Sequence, residues 1–301
     1  MVDFEDRERN TAWGYLVSIW RFLRRYPTIP IVVITLLVFS ALFGPTLAPH
    51  DPLITEMSAR YVPPPSFEYK KKVGSWDHPL GTDHVGRDIL SRIMWGGRIS
   101  LMVAGIALIV GLTVGTAVGL ISGYFGGIID EIITRIVDIW LALPFLMVAL
   151  LCVLIFGQSL IVLLFLLGLL SWVGFVRIIR AQTLQIKESD YVALARVSGA
   201  SLPRIILRHC LPGVINSAIV VATLNVGNLI LAEATLSFLG AGIPPPTPAW
   251  GVMVSEGREF IIMNVWWPTI FPGLAIFLLV MSLNFLGDWF RDRFDPRLRQ
   301  L

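Results

Sequence analysis

Four side chains in the run HPLGTDHVGRD carry metal-donor atoms: His78, Asp83, His84 and Asp88. Imidazoles beside carboxylates are the donor set of a zinc or related site. Local backbone geometry accounts for the same residues. No cysteine accompanies them, Gly81 and Gly86 suit turns, and Thr82 and Asp88 suit caps. The turn reading is the stronger one, and no metal is expected. A second polar set is the basic island DYVALARVSGASLPRIILRHCLP, residues 190–212, between two long apolar runs. It reads as a short helix capped by Asp190, with an apolar side from Ala193, Leu194, Ala195 and Val197. A glycine elbow follows at Gly199, where a helix end calls for positive φ. A second short helix starts at Ser201 with Pro203 in its first turn, and Pro212 stops the run or bends it. A third set is Glu233 with Asn225 and Asn228, inside an apolar run. Asn225, Asn228 and Ala232 share a helical face, with Glu233 slightly off it. An ionisable group there marks either a water-filled translocation path or an interhelical hydrogen-bond ladder, and both stay open.

The elements that must position these groups are membrane spans. The 301-residue chain is 55% hydrophobic and 15% charged, with mean hydropathy +0.73. A soluble domain is about a quarter charged, and apolar runs of about 20 residues recur here, so the chain is an all-α integral membrane protein. Six spans are expected, at roughly 29–47, 101–124, 132–156, 160–179, 214–236 and 267–286. They divide the chain into an N-terminal segment 1–28, a first helix 29–48, an external loop 49–97, a five-helix core 98–290 and a tail 291–301. The core includes the island as loop 187–212. Trp13 to Phe22 suits an amphipathic helix at the membrane surface. The N-terminal segment is polar with both signs of charge, which suits no cleavable signal, so the first span is retained as an anchor. Arg180, Lys187, Arg196, Arg204 and Arg208 cluster around the island, and the termini are Arg-rich. The positive-inside rule therefore puts the loop and both termini in the cytoplasm. The external loop carries bases as well as acids, and long loops translocate largely regardless of charge.

Gly111, Gly115, Gly119 and Gly123 recur every four residues in the second span and form one smooth stripe for close helix approach. Packing within the bundle is the favoured reading; the alternative is a face that slides against a partner subunit. Asp138 is placed to pair with Arg135, and Arg177 and Arg180 to snorkel to the inner surface. Cys152 and Cys210 fall at different depths, so no disulfide is expected. The net charge of +3 is spread over loops and gives no nucleic-acid signal. GxxxxGK[ST], HExxH and GxSxG are all missing from the sequence, so none of these routes to ATP binding or hydrolytic chemistry is open.

The island resembles the EAA loop of ABC-transporter permeases, whose pattern is Glu-Ala-Ala, three residues, Gly, nine residues, Ile, one residue, Leu-Pro. Ala195, Gly199, Leu211 and Pro212 match in spacing. Ala193, Leu194 and His209 stand at the positions of the Glu, the second motif residue and the Ile. The run LGTDHVGRDILSRIMWGGRISL resembles a signature of the dipeptide, oligopeptide and nickel permeases of ABC importers, within which it marks the C-type subunit. Leu231 to Gly240 followed by Pro244, Pro245, Pro248, Trp250 and Gly251 is similar as well, as is Asn284 to Asp288 followed by Asp295-Pro296-Arg297.

The resemblance implies a type I ABC-importer permease fold with a cytoplasmic coupling helix. The coupling residues are then Ala193, Leu194, Ala195, Arg196, Gly199, Ala200, Ser201, Leu211 and Pro212. It implies a peptide importer in the cell (inner) membrane, assembled from a homologous second permease, two ATP-binding subunits and an extracytoplasmic substrate-binding protein. ATP and Mg belong to the partner ATPases, and no cofactor to this chain. The alternatives are a nickel or glutathione importer of the same family, a stand-alone secondary transporter and a membrane scaffold. The spans carry no His or Cys cluster for nickel, and neither the repeat nor the midplane charges of a secondary transporter are evident.

Overall fold

The structure, a computed structural model, describes residues 27–294. The amphipathic helix expected at Trp13 to Phe22 and the Asp295-Pro296-Arg297 ending lie outside them. Helix α1 (Thr28–Leu47) is followed by a polar excursion, which holds a small hairpin of β1 (Glu68–Tyr69) and β2 (Lys72–Val73). Then come α2 (Ile89–Phe125), α3 (Gly127–Ala142), α4 (Phe145–Phe156) and α5 (Leu160–Ile186). The island holds α6 (Asp190–Val197) and α7 (Leu202–Ile205). Helices α8 (Leu211–Phe238), α9 (Trp250–Gly257) and α10 (Trp267–Phe294) complete the described chain. In a bilayer every backbone polar group must be satisfied within the chain, which is why apolar runs of this length fold as helices.

The glycine stripe fixes the centre of the bundle. A Cβ on Gly111 would meet Ser171, and one on Gly115 would lie 2.5 Å from the Trp172 carbonyl and from Phe175. Gly119 faces Val176 and Ile179, and Gly123 faces Arg180 and Thr183. Four residues forward on α2 correspond to four forward on α5, so the two helices run parallel in close contact. The stripe is consumed by packing inside this chain, as the favoured reading expects.

Parallel α2 and α5 require the chain between them to recross the membrane once. That crossing is where the structure departs from the sequence reading. Residues 132–156 are not one straight span. Helices α3 and α4 meet at an 85° bend. Leu143 is extended (φ −86°, ψ 127°) and Pro144 caps α4. The proline ring disfavours helical backbone at the residue before it, which ends α3 there. Five straight helices plus this bent pair give the six spans.

Helix α2 also starts earlier than expected. It has 37 residues, about 55 Å at 1.5 Å per residue, against a hydrocarbon core of about 30 Å. Its first turns therefore extend beyond the hydrocarbon core and carry a polar cluster. Helices α8 and α10 pack antiparallel, with Gly227 against Asn284 and Gly287 against Leu224. Helix α1 meets α2 where Gly44 abuts the Met94 backbone.

Two glycines of α2 separate packing from propensity. Gly115→Ala forces a methyl into the α5 backbone and is expected to cost about 1–3 kcal/mol. Gly105, with nothing within 4 Å of its would-be Cβ, is expected to accept Ala with no loss, or to gain about 0.5–1 kcal/mol. Thermal unfolding of both variants in one detergent measures the contrast; equal midpoints would remove the stripe from the centre of the fold.

Candidate functional site

The island forms an exposed elbow at one end of the bundle. Ser189, not Asp190, is the N-cap of α6, and Asp190 sits in the first turn, where a negative charge complements the helix N-terminus. The helix ends as its glycine predicts. Gly199 has φ +76°, its N–H donates to the Arg196 carbonyl (3.1 Å), and the Ala200 N–H reaches back to Ala195 (3.0 Å). This pair of bonds with a left-handed glycine is a Schellman motif. Ser201 then stands at the N-cap position of α7, its side chain making no capping bond, with Pro203 in the first turn.

Pro212 neither stops nor separates the next span. A π-turn, Ile206–Cys210, joins α7 to α8, so helical backbone continues from Leu202 to Phe238. Such widened turns adjust the backbone around a residue that cannot donate an N–H. The second short helix is thus the first part of a span rather than a separate element.

One face of the elbow is seated and the other is free. Val192, Ile205, Cys210 and Val214 are buried together with Leu120 of α2 and Ile179 of α5. Leu194 and Val197 point away, 66% and 87% exposed. Ala193, Arg196, Gly199, Ser201 and Pro212 are exposed too, while Ala195, Ala200 and Leu211 are half-buried. Beside the elbow the adjoining ends of three helices are tied together. Arg180 pairs with Asp130 in a two-pronged contact (Nη2 to Oδ2 2.6 Å), Ser122 donates to the same carboxylate, and Lys187 Nζ donates to the Gly123 carbonyl (3.0 Å). Arg180 is therefore a clamp on α3 and not a free snorkelling cation. Arg135 lies nearest Glu131 (3.9 Å), not Asp138.

The three residues expected along a path do not line one surface. Asn225 is half-buried beside Gly174 of α5, and Asn228 is exposed. Glu233 is fully buried, where Ser100 of α2 donates to Oε2 (3.1 Å) and Ser237 to Oε1 (2.8 Å). These bonds make Glu233 a tie between α2 and α8.

At the opposite end the glycine turns appear as expected, with φ +79° at Gly81 and +85° at Gly86. Asp88 caps α2, accepting the Ser91 N–H (2.8 Å). Thr82 is not a cap; its hydroxyl bridges Ala59 and Val62. Asp83 binds Arg87 (2.6 Å) and Arg92 (2.5 Å), and both guanidinium groups approach Glu256 of α9 (2.8 and 2.9 Å). The Arg87–Glu256 contact joins residues 169 positions apart, and no local pattern could have revealed it. Burial alone would raise the Asp83 carboxyl, but Arg92, Arg87 and two backbone N–H groups outweigh it and hold it below the usual carboxylate value. His84 stacks on Phe260, and burial lowers its imidazole. Of the suspected donors only His78 and Asp88 meet (2.9 Å).

The family model described as the binding-protein-dependent transport system inner membrane component matches residues 115–300, which include the elbow and every helix after it. The chain belongs to this family. It is a transport permease of the inner membrane and not an enzyme; ATP hydrolysis is the work of separate subunits. The permease is similar to the dipeptide transport system permease protein DppC of Escherichia coli K12, 44% identical over 287 residues, covering 95% of this chain and 94% of that one. It is 36% identical to the protein of the same name from Bacillus subtilis 168, over 98% of this chain and 90% of the relative. Assembly with another permease and with ATPases follows from the family.

Asp83→Asn leaves two buried guanidinium groups short of a counter-charge and is expected to cost about 3–5 kcal/mol. The folded-state value of Asp83 is depressed. Its stabilisation is therefore complete above the ordinary carboxylate value, about 3.9, and is lost as pH falls below that value. Melting the wild type and Asp83→Asn across an acid series tests this: the acid-dependent loss in that window is expected to shrink in the variant.

Proposed function

We propose that this chain is one membrane-channel half of an ATP-driven importer of di- or oligopeptides, with the elbow as the coupling element. The observation that carries the coupling is the pair of apolar side chains, Leu194 and Val197, held outward on a helix whose opposite face is buried. An apolar pair exposed beside a basic loop is costly in water and fits a groove on a partner protein. The dipeptide transport names of relatives that match nearly the whole chain support the peptide substrate.

In this reading the elbow and both termini are cytoplasmic, following the basic residues around the loop. The complex contains a homologous second permease, two ATP-binding subunits holding ATP and Mg, and an extracytoplasmic substrate-binding protein. Closure of the ATPase pair displaces α6. Because Val192, Ile205 and Val214 share one core with Leu120 and Ile179, α6 moves as a body with the inner ends of α8, α5 and α2. Rigid-body rotation of this kind exposes the channel alternately to the two sides. Asn228, exposed on α8, is the better candidate for the path, with Asn225 next to it. Glu233 serves from behind by holding α8 against α2.

The test is reconstitution with the partner subunits. Leu194→Asp with Val197→Asp is expected to leave the chain folded in the membrane while ATPase co-purification and dipeptide uptake fall more than about tenfold. Tenfold corresponds to about 1.4 kcal/mol, within the cost of losing an anchor side chain in an interface. Normal ATPase recovery and uptake in the double variant would remove the elbow from the coupling path. Uptake of another solute class, with dipeptides ignored, would overturn the substrate.

A further inference from the structure

Beside the ion-paired cluster lies an arrangement that the coupling role does not use. His50, at the end of α1, approaches His78 and Asp88, and the donor atoms of all three lie within 4.8 Å of one another. The two imidazoles are 4.6 Å apart between ring centres, tilted by 31°. The Asp88 side chain is fully buried and its only ionisable partner among the described residues is His78. We propose that His50, His78 and Asp88 form a binding site for a late first-row divalent cation, with Zn2+ the best match, fastening the outer end of the first span to the N-terminus of α2.

The supporting structure argues for a built site. Asp88 Oδ2 is occupied by the Ser91 N–H and hydroxyl (2.8 and 2.7 Å), which leaves Oδ1 turned toward the imidazoles. The Ser91 hydroxyl also accepts the His50 backbone N–H (3.1 Å). One serine thus orients the carboxylate and tethers the histidine, the kind of support that fixes metal ligands in place. Tetrahedral zinc with bonds of about 2.0–2.1 Å needs donors roughly 3.3 Å apart. His78 and Asp88 are already closer than that, and the His50 ring is exposed and free to swing inward. Two imidazoles and one carboxylate favour Zn2+ over Mg2+ or Ca2+ and leave a fourth position for water. Asp83 and His84 take no part: the first is spent on its arginines and the second on Phe260.

The experiment titrates Zn2+ against a chromophoric competitor into the full-length chain in lipid nanodiscs, purified without a polyhistidine tag. One saturable site is expected in the wild type. His50→Ala and His78→Ala should each weaken it by at least about tenfold, while His209→Ala, at the elbow, leaves it unchanged. Co2+ in place of Zn2+ should give visible d–d bands that vanish in His50→Ala, and Zn2+ should raise the unfolding temperature of the wild type and His209→Ala but not of His50→Ala. Should His78→Ala loosen the fold, His50→Ala still carries the test, because its ring is exposed. The proposal is overturned if the wild type shows no saturable site, or if Zn2+ affinity and the Co2+ spectrum persist in a folded His50→Ala chain.

Discussion

The close approach of α2 and α5 is the constraint on which the rest depends. Backbones can come this near only where no Cβ intervenes, and four glycines at four-residue spacing keep one face of α2 bare along its membrane length. In lipid, where apolar side chains gain little by leaving their solvent, association rests on such van der Waals contact. The match of Gly111 to Ser171, Gly115 to Phe175, Gly119 to Ile179 and Gly123 to Thr183 fixes register as well as distance. Register in turn sets where the ends fall. Gly123 and Thr183 bring Lys187 within reach of the Gly123 carbonyl and Arg180 within reach of Asp130.

The same packing dictates how the third crossing is made. With α2 and α5 parallel, the intervening residues must return across the bilayer, and they do so as two helices at a sharp angle. The bend leaves backbone groups at Leu143 and Pro144 outside regular helix, yet a proline has no N–H to satisfy, and the Leu143 N–H donates to the Trp140 carbonyl (3.3 Å). Placing the break at a proline keeps the number of unsatisfied donors in the bilayer small.

What the sequence made legible was local. The glycine repeat, the left-handed elbow at Gly199, the turns at Gly81 and Gly86 and the cap at Asp88 each follow from a residue type at a fixed offset, and each is present. Features that depend on side chains meeting across the fold were not legible. Asp130 and Arg180 are 50 residues apart, Arg87 and Glu256 are 169, and Ser100 and Glu233 are 133. Helical spacing set Glu233 just off the Asn225 and Asn228 face, and three-dimensional packing turned it fully inward, against α2. His50 drew no attention because it lies 28 positions before His78 with a whole turn of chain between them. The bend at Pro144 had a visible signal, the proline itself, but an uninterrupted apolar run outweighs it when only hydropathy is read.

The two ends of α2 carry opposite mechanical properties, and this has a consequence for how force would cross the permease. At the Asp88 end Asp83, Arg87, Arg92 and Glu256 lock the signature turn to α9, and the Trp250 and Trp267 indoles donate to backbone carbonyls of Ile93 and Thr82. Charge pairs buried at this depth do not yield singly, since breaking one strands its partner. At the Gly123 end the elbow is joined to the bundle by the buried core around Val192 and by a π-turn, a widened helical turn often found at functional sites. A push on α6 would be passed to α2, α5 and α8 through that shared core and be resisted most at the ion-paired end of α2. The left-handed backbone of Gly199 sets the angle between α6 and α7, and Val192 and Ile205 in one buried core hold it.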